Sequence, residues 1–178
     1  MKKVFLVAVL VFAGMSNIKA QENVIKVNPL GLLFGSAQLG YETALNEKSA
    51  VELSLAYSSV KATVGSDSDA KATGFGAEGK YKFYFSSNYD AVRGWYAAPV
   101  ATYASTKASS DDSEGKLSYF GVGAVAGYQW VFGGGDSGFA LDLNLGAQYI
   151  SANTSGDISG VTIDGILPRL GLSLGYAW

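Results

Sequence analysis

Lys26, Glu42, Glu52, Glu78, Lys80, Lys82, Asp142 and Arg169 are the residues of this chain best placed to do chemistry. Each falls on the small, polar side of a segment whose other side is apolar. Four of the eight are acidic and four are basic. Gathered in a confined interior, they could form a paired polar plug, a narrow gated path for ions or small solutes, or an acid–base pair. Unpaired charges are costly where hydration is poor, so an even balance of signs favours the plug. The chain has no histidine and no cysteine. That removes the commonest general base, thiolate metal sites, disulfides and any Ser–His pair. Acidic stretches carry Asp67 and Asp69, then Asp111, Asp112 and Glu114, then Asp157 and Asp164. Oxygen-rich loops of this kind suit Ca²⁺ or Mg²⁺, but none has EF-hand spacing, so they read as solvated loops. Gly121-x-Gly123-x-x-x-Gly127 is not a dinucleotide fingerprint: it lies inside a strand pattern with no helix to follow. Inward glycines leaving room for long neighbours explain it better. No cofactor is expected.

The elements that must position these charges are strands. Side chains alternate across a strand with period 2. In the seventh segment Phe139, Leu141, Leu143, Leu145 and Tyr149 oppose Asp142, Asn144, Gly146 and Gln148. In the fourth, Phe75, Ala77, Tyr81, Phe83 and Phe85 oppose Gly74, Gly76, Glu78, Lys80 and Lys82. Eight strands are predicted, at 24–33, 36–45, 50–62, 72–86, 94–106, 116–132, 139–152 and 166–178. The first hairpin requires a tight turn at Phe34-Gly35-Ser36, with a bulge at Pro29. The fifth strand, which contains Pro99, is ambiguous on both faces. Short connections (46–49, 87–93, 133–138) alternate with acidic, Ser/Gly-rich ones at 65–71, 108–115 and 153–165.

The last strand says most about surroundings. Leu170, Leu172, Leu174, Tyr176 and Trp178 share one face; Arg169, Gly171, Ser173, Gly175 and Ala177 share the other. Aromatics sort by height along all the strands. Tyr41, Phe83, Phe85, Trp95, Trp130, Phe132, Phe139, Tyr176 and Trp178 sit beside the short turns or the terminus. Tyr57, Phe75, Tyr103, Phe120 and Tyr149 sit nearer the longer loops. Apolar bands closed by aromatic girdles are what lipid-facing strands need. The expected fold is therefore all-β: an eight-stranded antiparallel up-and-down transmembrane β-barrel.

Residues 1–20 read as a cleaved signal peptide, with Lys2 and Lys3 before an apolar run from Val4 to Ala13 and cleavage after Ala20. The run is too short for a spanning helix, which takes about 20 apolar residues. The barrel then occupies 21–178, as one domain. Loss of Lys2, Lys3 and Lys19 leaves 10 of the 13 basic residues against 15 acidic, a net charge of −5. That balance argues against nucleic acid as a partner.

The pattern Arg169-x-Gly171-x-x-Leu174-x-Tyr176-x-Trp178 resembles the terminal signal read by the barrel assembly machinery of Gram-negative bacteria. With it, the chain resembles the small eight-stranded outer-membrane barrels of the OmpA, OmpX and OmpW type. The stretch Val27-Asn28-Pro29-Leu30-Gly31-Leu32-Leu33-Phe34-Gly35, followed by Gly40-Tyr41-Glu42, is similar to the first hairpin of a small-barrel domain family of unknown function. The resemblance implies an outer-membrane address. It implies as partners outer-membrane lipid and lipopolysaccharide, the assembly machinery during insertion, and a larger outer-membrane protein. It carries no catalytic motif. The reading that follows is a non-enzymatic structural or interaction barrel, or an accessory subunit of a larger complex. The alternatives are a narrow passive channel and a soluble periplasmic lipocalin-like carrier; a lipid-modifying enzyme lacks its nucleophile–base pair.

Overall fold

A computed structural model describes residues 23–33, 35–64, 68–86, 92–110, 113–133, 137–156 and 162–178. The signal peptide expected over 1–20 lies outside these residues, as does Phe34 of the expected turn. Eight strands are present: β1 (Asn23–Val27), β2 (Ser36–Asn46), β3 (Ser49–Val64), β4 (Ser68–Tyr84), β5 (Gly94–Ser110), β6 (Ser113–Phe132), β7 (Gly138–Gly156) and β8 (Thr162–Ala177). Each pairs antiparallel with the next, and β8 returns to pair with β1, closing the barrel. No helix among the described residues is long and apolar enough to cross a membrane.

The alternation decides which face is which. Leu145 is 63% exposed and Leu170 is 66% exposed on the outside, while Asp142, Gln129 and Glu42 are buried within. Apolar side chains thus cover the outer wall and the charged residues fill the lumen. An eight-stranded barrel has an interior only wide enough for side chains. Inward glycines make the room: a Cβ on Gly127 would lie 2.8 Å from the Tyr96 ring, and one on Gly175 would lie 3.1 Å from Lys26 Cγ.

The first hairpin differs from expectation. β1 ends at Val27, and Pro29–Leu33 forms one helical turn, α1, instead of a bulged strand. Asn28 Oδ1 accepts a hydrogen bond from the Gly31 N–H at 3.0 Å, an N-cap contact. Pro29 takes the first helical position, where its missing N–H is no loss. Gly35, at φ 72°, ends the turn in the left-handed region, and its N–H reaches Leu32 O at 3.3 Å.

The acidic connections are also shorter than predicted. Ser68–Lys71, Ala108–Ser110, Ser113–Gly115, Asn153–Gly156 and Thr162–Gly165 all continue the ladder. The Ser/Thr/Ala composition that reads as loop is compatible with paired strands once a neighbour offers hydrogen bonds. The three hairpins at this end therefore rise as paired ribbons. The fifth strand has a definite phase: Tyr96, Ala98, Val100 and Thr102 are buried, and Trp95, Pro99 and Tyr103 are exposed. The β4–β5 pairing skips Tyr81 and Lys82, opposite Ala98 and Pro99, where proline has no N–H to give.

Candidate functional site

The eight charges predicted from strand phase come together as one continuous network across the lumen. Lys26 pairs with Glu42, with Glu52 at 2.8 Å and with Asp142 at 2.8 Å. Lys82 pairs with Asp142 at 2.6 Å, Glu52 at 2.8 Å and Glu42 at 2.9 Å. Lys80 bridges Glu52 at 2.6 Å to Glu78 at 3.1 Å. Arg169 pairs with Glu78 and closes the network toward the tall hairpins. β1 to β4, β7 and β8 all contribute, so the network ties the wall together across the lumen.

The carboxylate oxygens of Glu42, Glu52 and Asp142 lie within 4.8 Å of one another, a grouping that could hold a metal ion. Two ammonium groups already stand among them, from Lys26 and Lys82. The positive charge that three carboxylates require is thus supplied by the chain itself. The acidic-loop proposal fares differently. Asp67, Asp111, Asp112 and Asp157 lie outside the described residues, as does the side chain of Asp69. Glu114 and Asp164 are exposed.

Sequence reasoning missed three members of the layer. Tyr84 donates to Glu42 Oε1 at 2.5 Å, and Tyr96 donates to Asp142 Oδ1 at 2.6 Å. Lys82 Nζ also sits 4.3 Å above the Tyr96 ring. Gln129 Oε1 accepts from Lys26 at 2.6 Å and from Lys82 at 3.1 Å. Strand phase places Gln129 on the inner face with Gly121, Gly123 and Gly127, but only charges are counted for the network; the same phase would have found Tyr84, two residues beyond Lys82. Tyr96 was hidden by its strand, where small residues and aromatics occur on both faces.

The layer is closed from the short-turn end. Gln129 Nε2 donates to Val92 O at 2.6 Å, and the Val92 side chain is fully buried. Val92 has φ 68°, a region that β-branched residues avoid. Val92, just before β5, is therefore held against the lumen by packing and this hydrogen bond. Toward the tall hairpins the lumen opens instead. Ser54, Ser58, Thr102, Ala104 and Thr106 line a cup of about 300 Å³ above Glu78. Tyr119 separates it from a second cavity of about 310 Å³, lined also by Gln148, Ile150, Leu167 and Arg169.

The residues of the terminal pattern divide between the faces. Arg169 and Gly171 belong to the inner phase; Leu174, Tyr176 and Trp178 belong to the outer. Trp178 exchanges backbone hydrogen bonds with Asn23 at 3.0 and 3.1 Å, which seals the β8–β1 closure. Its ring packs with Tyr41 and Tyr176 at the same end of the barrel. Trp95 and Trp130 flank Tyr128, and Phe132 stacks on Phe139, along that rim. Phe85 is exposed there too. At the other height Tyr57 is directly opposite Phe75, Tyr103 is opposite Phe120, and Tyr149 is opposite Ile166.

No curated protein and no solved structure matches the chain. A family model described as a protein of unknown function, DUF3575, matches residues 6–159. The match takes in β1 to β7 and every charged member of the network except Arg169. The chain belongs to this family of unknown function, DUF3575.

Proposed function

We propose that this protein is a non-enzymatic, membrane-embedded barrel of the outer membrane, delivered by a cleaved signal peptide, whose sealed lumen makes it a structural or interaction component of the envelope. One arrangement carries this reading: the apolar residues are outside and the charges inside. A soluble carrier needs the reverse. A band of exposed Leu, Phe, Tyr and Trp between two aromatic rings is stable against lipid and unstable against water. Backbone pairing supports it too: every strand pairs with the next and β8 closes on β1 from Val24↔Ala177 to Val27↔Leu174, so most backbone groups are satisfied within the protein. Inside, the ammonium and carboxylate groups are packed to hydrogen-bond distance, and Lys26, Lys82, Glu42 and Asp142 are all buried. This favours a closed barrel over a passive channel. A lumen so filled leaves the outer wall and the tall hairpins as the surfaces available to partners.

The test uses the native tryptophans. Trp95, Trp130 and Trp178 all sit near the short-turn rim. Protein refolded into phosphatidylcholine vesicles with bromines at graded acyl depths should be quenched most by the shallowest bromines. Absence of quenching at every depth, from protein shown to be folded, would contradict membrane embedding.

A further inference from the structure

Four adjacent strands repeat one order of residues toward the tips of the tall hairpins. β3 reads Tyr57-x-Ser59-x-Lys61 and β5 reads Tyr103-x-Ser105-x-Lys107. β4 and β6 run the other way and read Lys71-x-Thr73-x-Phe75 and Lys116-x-Ser118-x-Phe120. The ladder lays these side by side. Tyr57 is opposite Phe75, Ser59 is opposite Thr73, and Lys61 is opposite Lys71. Tyr103 is opposite Phe120, Ser105 is opposite Ser118, and Lys107 is opposite Lys116. Between the two hairpins the order slips by one step, with Phe75 opposite Ser105 and Thr73 opposite Lys107. The wall thus carries an aromatic row, a hydroxyl row and a lysine row. Tyr57, Phe75, Tyr103 and Phe120 are exposed, and so are Lys71, Lys107 and Lys116. The pattern stops at β6. On β7, Tyr149-x-Ser151 leads to Asn153, and the one basic residue of β8 is the luminal Arg169.

The lysine row is unfavourable by itself. Residues directly opposite on neighbouring strands lie about 5 Å apart and diagonal ones about 7–8 Å, and like charges so placed repel. Lys107 is opposite Lys116 and, because Lys71 is opposite Ser109, diagonal to Lys71. Asp69 and Glu114 hold the next positions toward the tips, so four lysines meet two carboxylates. The acids follow the lysines outward, away from the apolar band. Four residues of strand set the lysine row about 13 Å beyond the aromatic row along the strand. Barrel strands tilt, so the rise is smaller and matches the head-group zone above an aromatic girdle. Below the β3–β4 end of the row the outer wall has an apolar groove of about 350 Å³, lined by Val27, Leu32, Leu39, Leu55, Tyr57 and Phe75.

We propose that the outer face of β3 to β6 binds a phosphate-bearing membrane lipid. Lys71, Lys107 and Lys116 surround the phosphate, the hydroxyl row lies level with the ester linkages, and an acyl chain follows the groove. The inference rests on the membrane reading above. A soluble anion would match the lysines alone; the aromatic row and the groove below them favour a lipid.

The test places the full barrel in phosphatidylcholine nanodiscs doped with phosphatidate, releases it into mild detergent, and counts the retained lipids by native mass spectrometry. Wild type should retain phosphatidate about tenfold above its share of the disc. Joint replacement Lys71→Gln, Lys107→Gln and Lys116→Gln should abolish that enrichment. In phosphatidylcholine alone the same variant should be at least as stable as wild type, because the repulsion is relieved. Lys107→Gln by itself should lower the enrichment, whereas Lys48→Gln, which removes the same charge from the short-turn end, should not. Equal enrichment in wild type and the triple variant, or equal losses from Lys107→Gln and Lys48→Gln, would overturn the proposal. So would displacement of the lipid by inorganic phosphate, which would make the row a site for the free anion. Protein that does not co-elute with nanodiscs would instead overturn the membrane reading. Titration of that protein with dihexanoylphosphatidate in buffer then tests the lysine row by itself, with weaker binding by Lys107→Gln as the supporting result and equal binding as the contrary one.

Discussion

At the scale of single residues, the stability of this barrel depends on charges that no water reaches. Lys82 holds three carboxylates, Glu42, Glu52 and Asp142, and is itself fully buried. Removing one member of a buried ion pair leaves its partners uncompensated, which typically costs about 3–5 kcal/mol. Lys82→Met is therefore expected to destabilise the refolded barrel by about that amount in denaturant titrations. Asp142→Asn added to it should cost less than the sum of the two single changes, with a coupling of about 0.5–3 kcal/mol. Full additivity would mean the two residues do not act together. The eight charges were legible in the sequence because strand phase alone assigns them to one face. Their aromatic partner Tyr96 was not, because Trp95, Tyr96, Ala97 and Ala98 give no contrast between faces. The buried Val92 was also invisible: nothing in the sequence marks a valine for positive φ.

At the scale of elements, the period-2 pattern did most of the positioning. Strands with strong alternation, such as β4, β6 and β7, lie close to where the pattern put them. Where every residue is small or hydroxylated, the pattern fades, and paired ribbon reads as loop. α1 was missed for a different reason. Leu30-Gly31-Leu32 alternates as a strand does, and Pro29 reads as a bulge within that strand. The outward face can be tested one strand at a time. Leu143 is exposed at mid-strand in β7 and opposite Leu172. Leu143→Arg should cost about 2–4 kcal/mol in lipid and slow insertion into vesicles. Ala104→Arg, which faces the water-accessible cup, should cost well under half as much. Equal penalties at the two positions would contradict the assignment of lipid and lumen faces.

At the scale of the whole molecule, one barrel contains two different interiors. The end near the short turns is packed, charge-balanced and braced by Val92. The end near the tall hairpins is a cup with hydroxyl-bearing walls, a second cavity and an incomplete wall. Among the described residues β8 outruns β1, which ends at Val27, so β8 is paired on both sides only from Leu174 onward, a matter of ladder register that the sequence does not reveal. On the proposed reading, the packed layer would seal the lumen and the open half would be the part left to meet partners.

Conductance across a planar lipid bilayer tests the sealed barrel most directly. Wild-type protein, shown to be folded and inserted, is expected to pass no steady current, and Glu78→Ala should leave it silent because Lys26, Lys82, Glu42 and Asp142 still close the lumen. A steady wild-type current that changes in Glu78→Ala would contradict the account and make the inward charges the filter of a small channel.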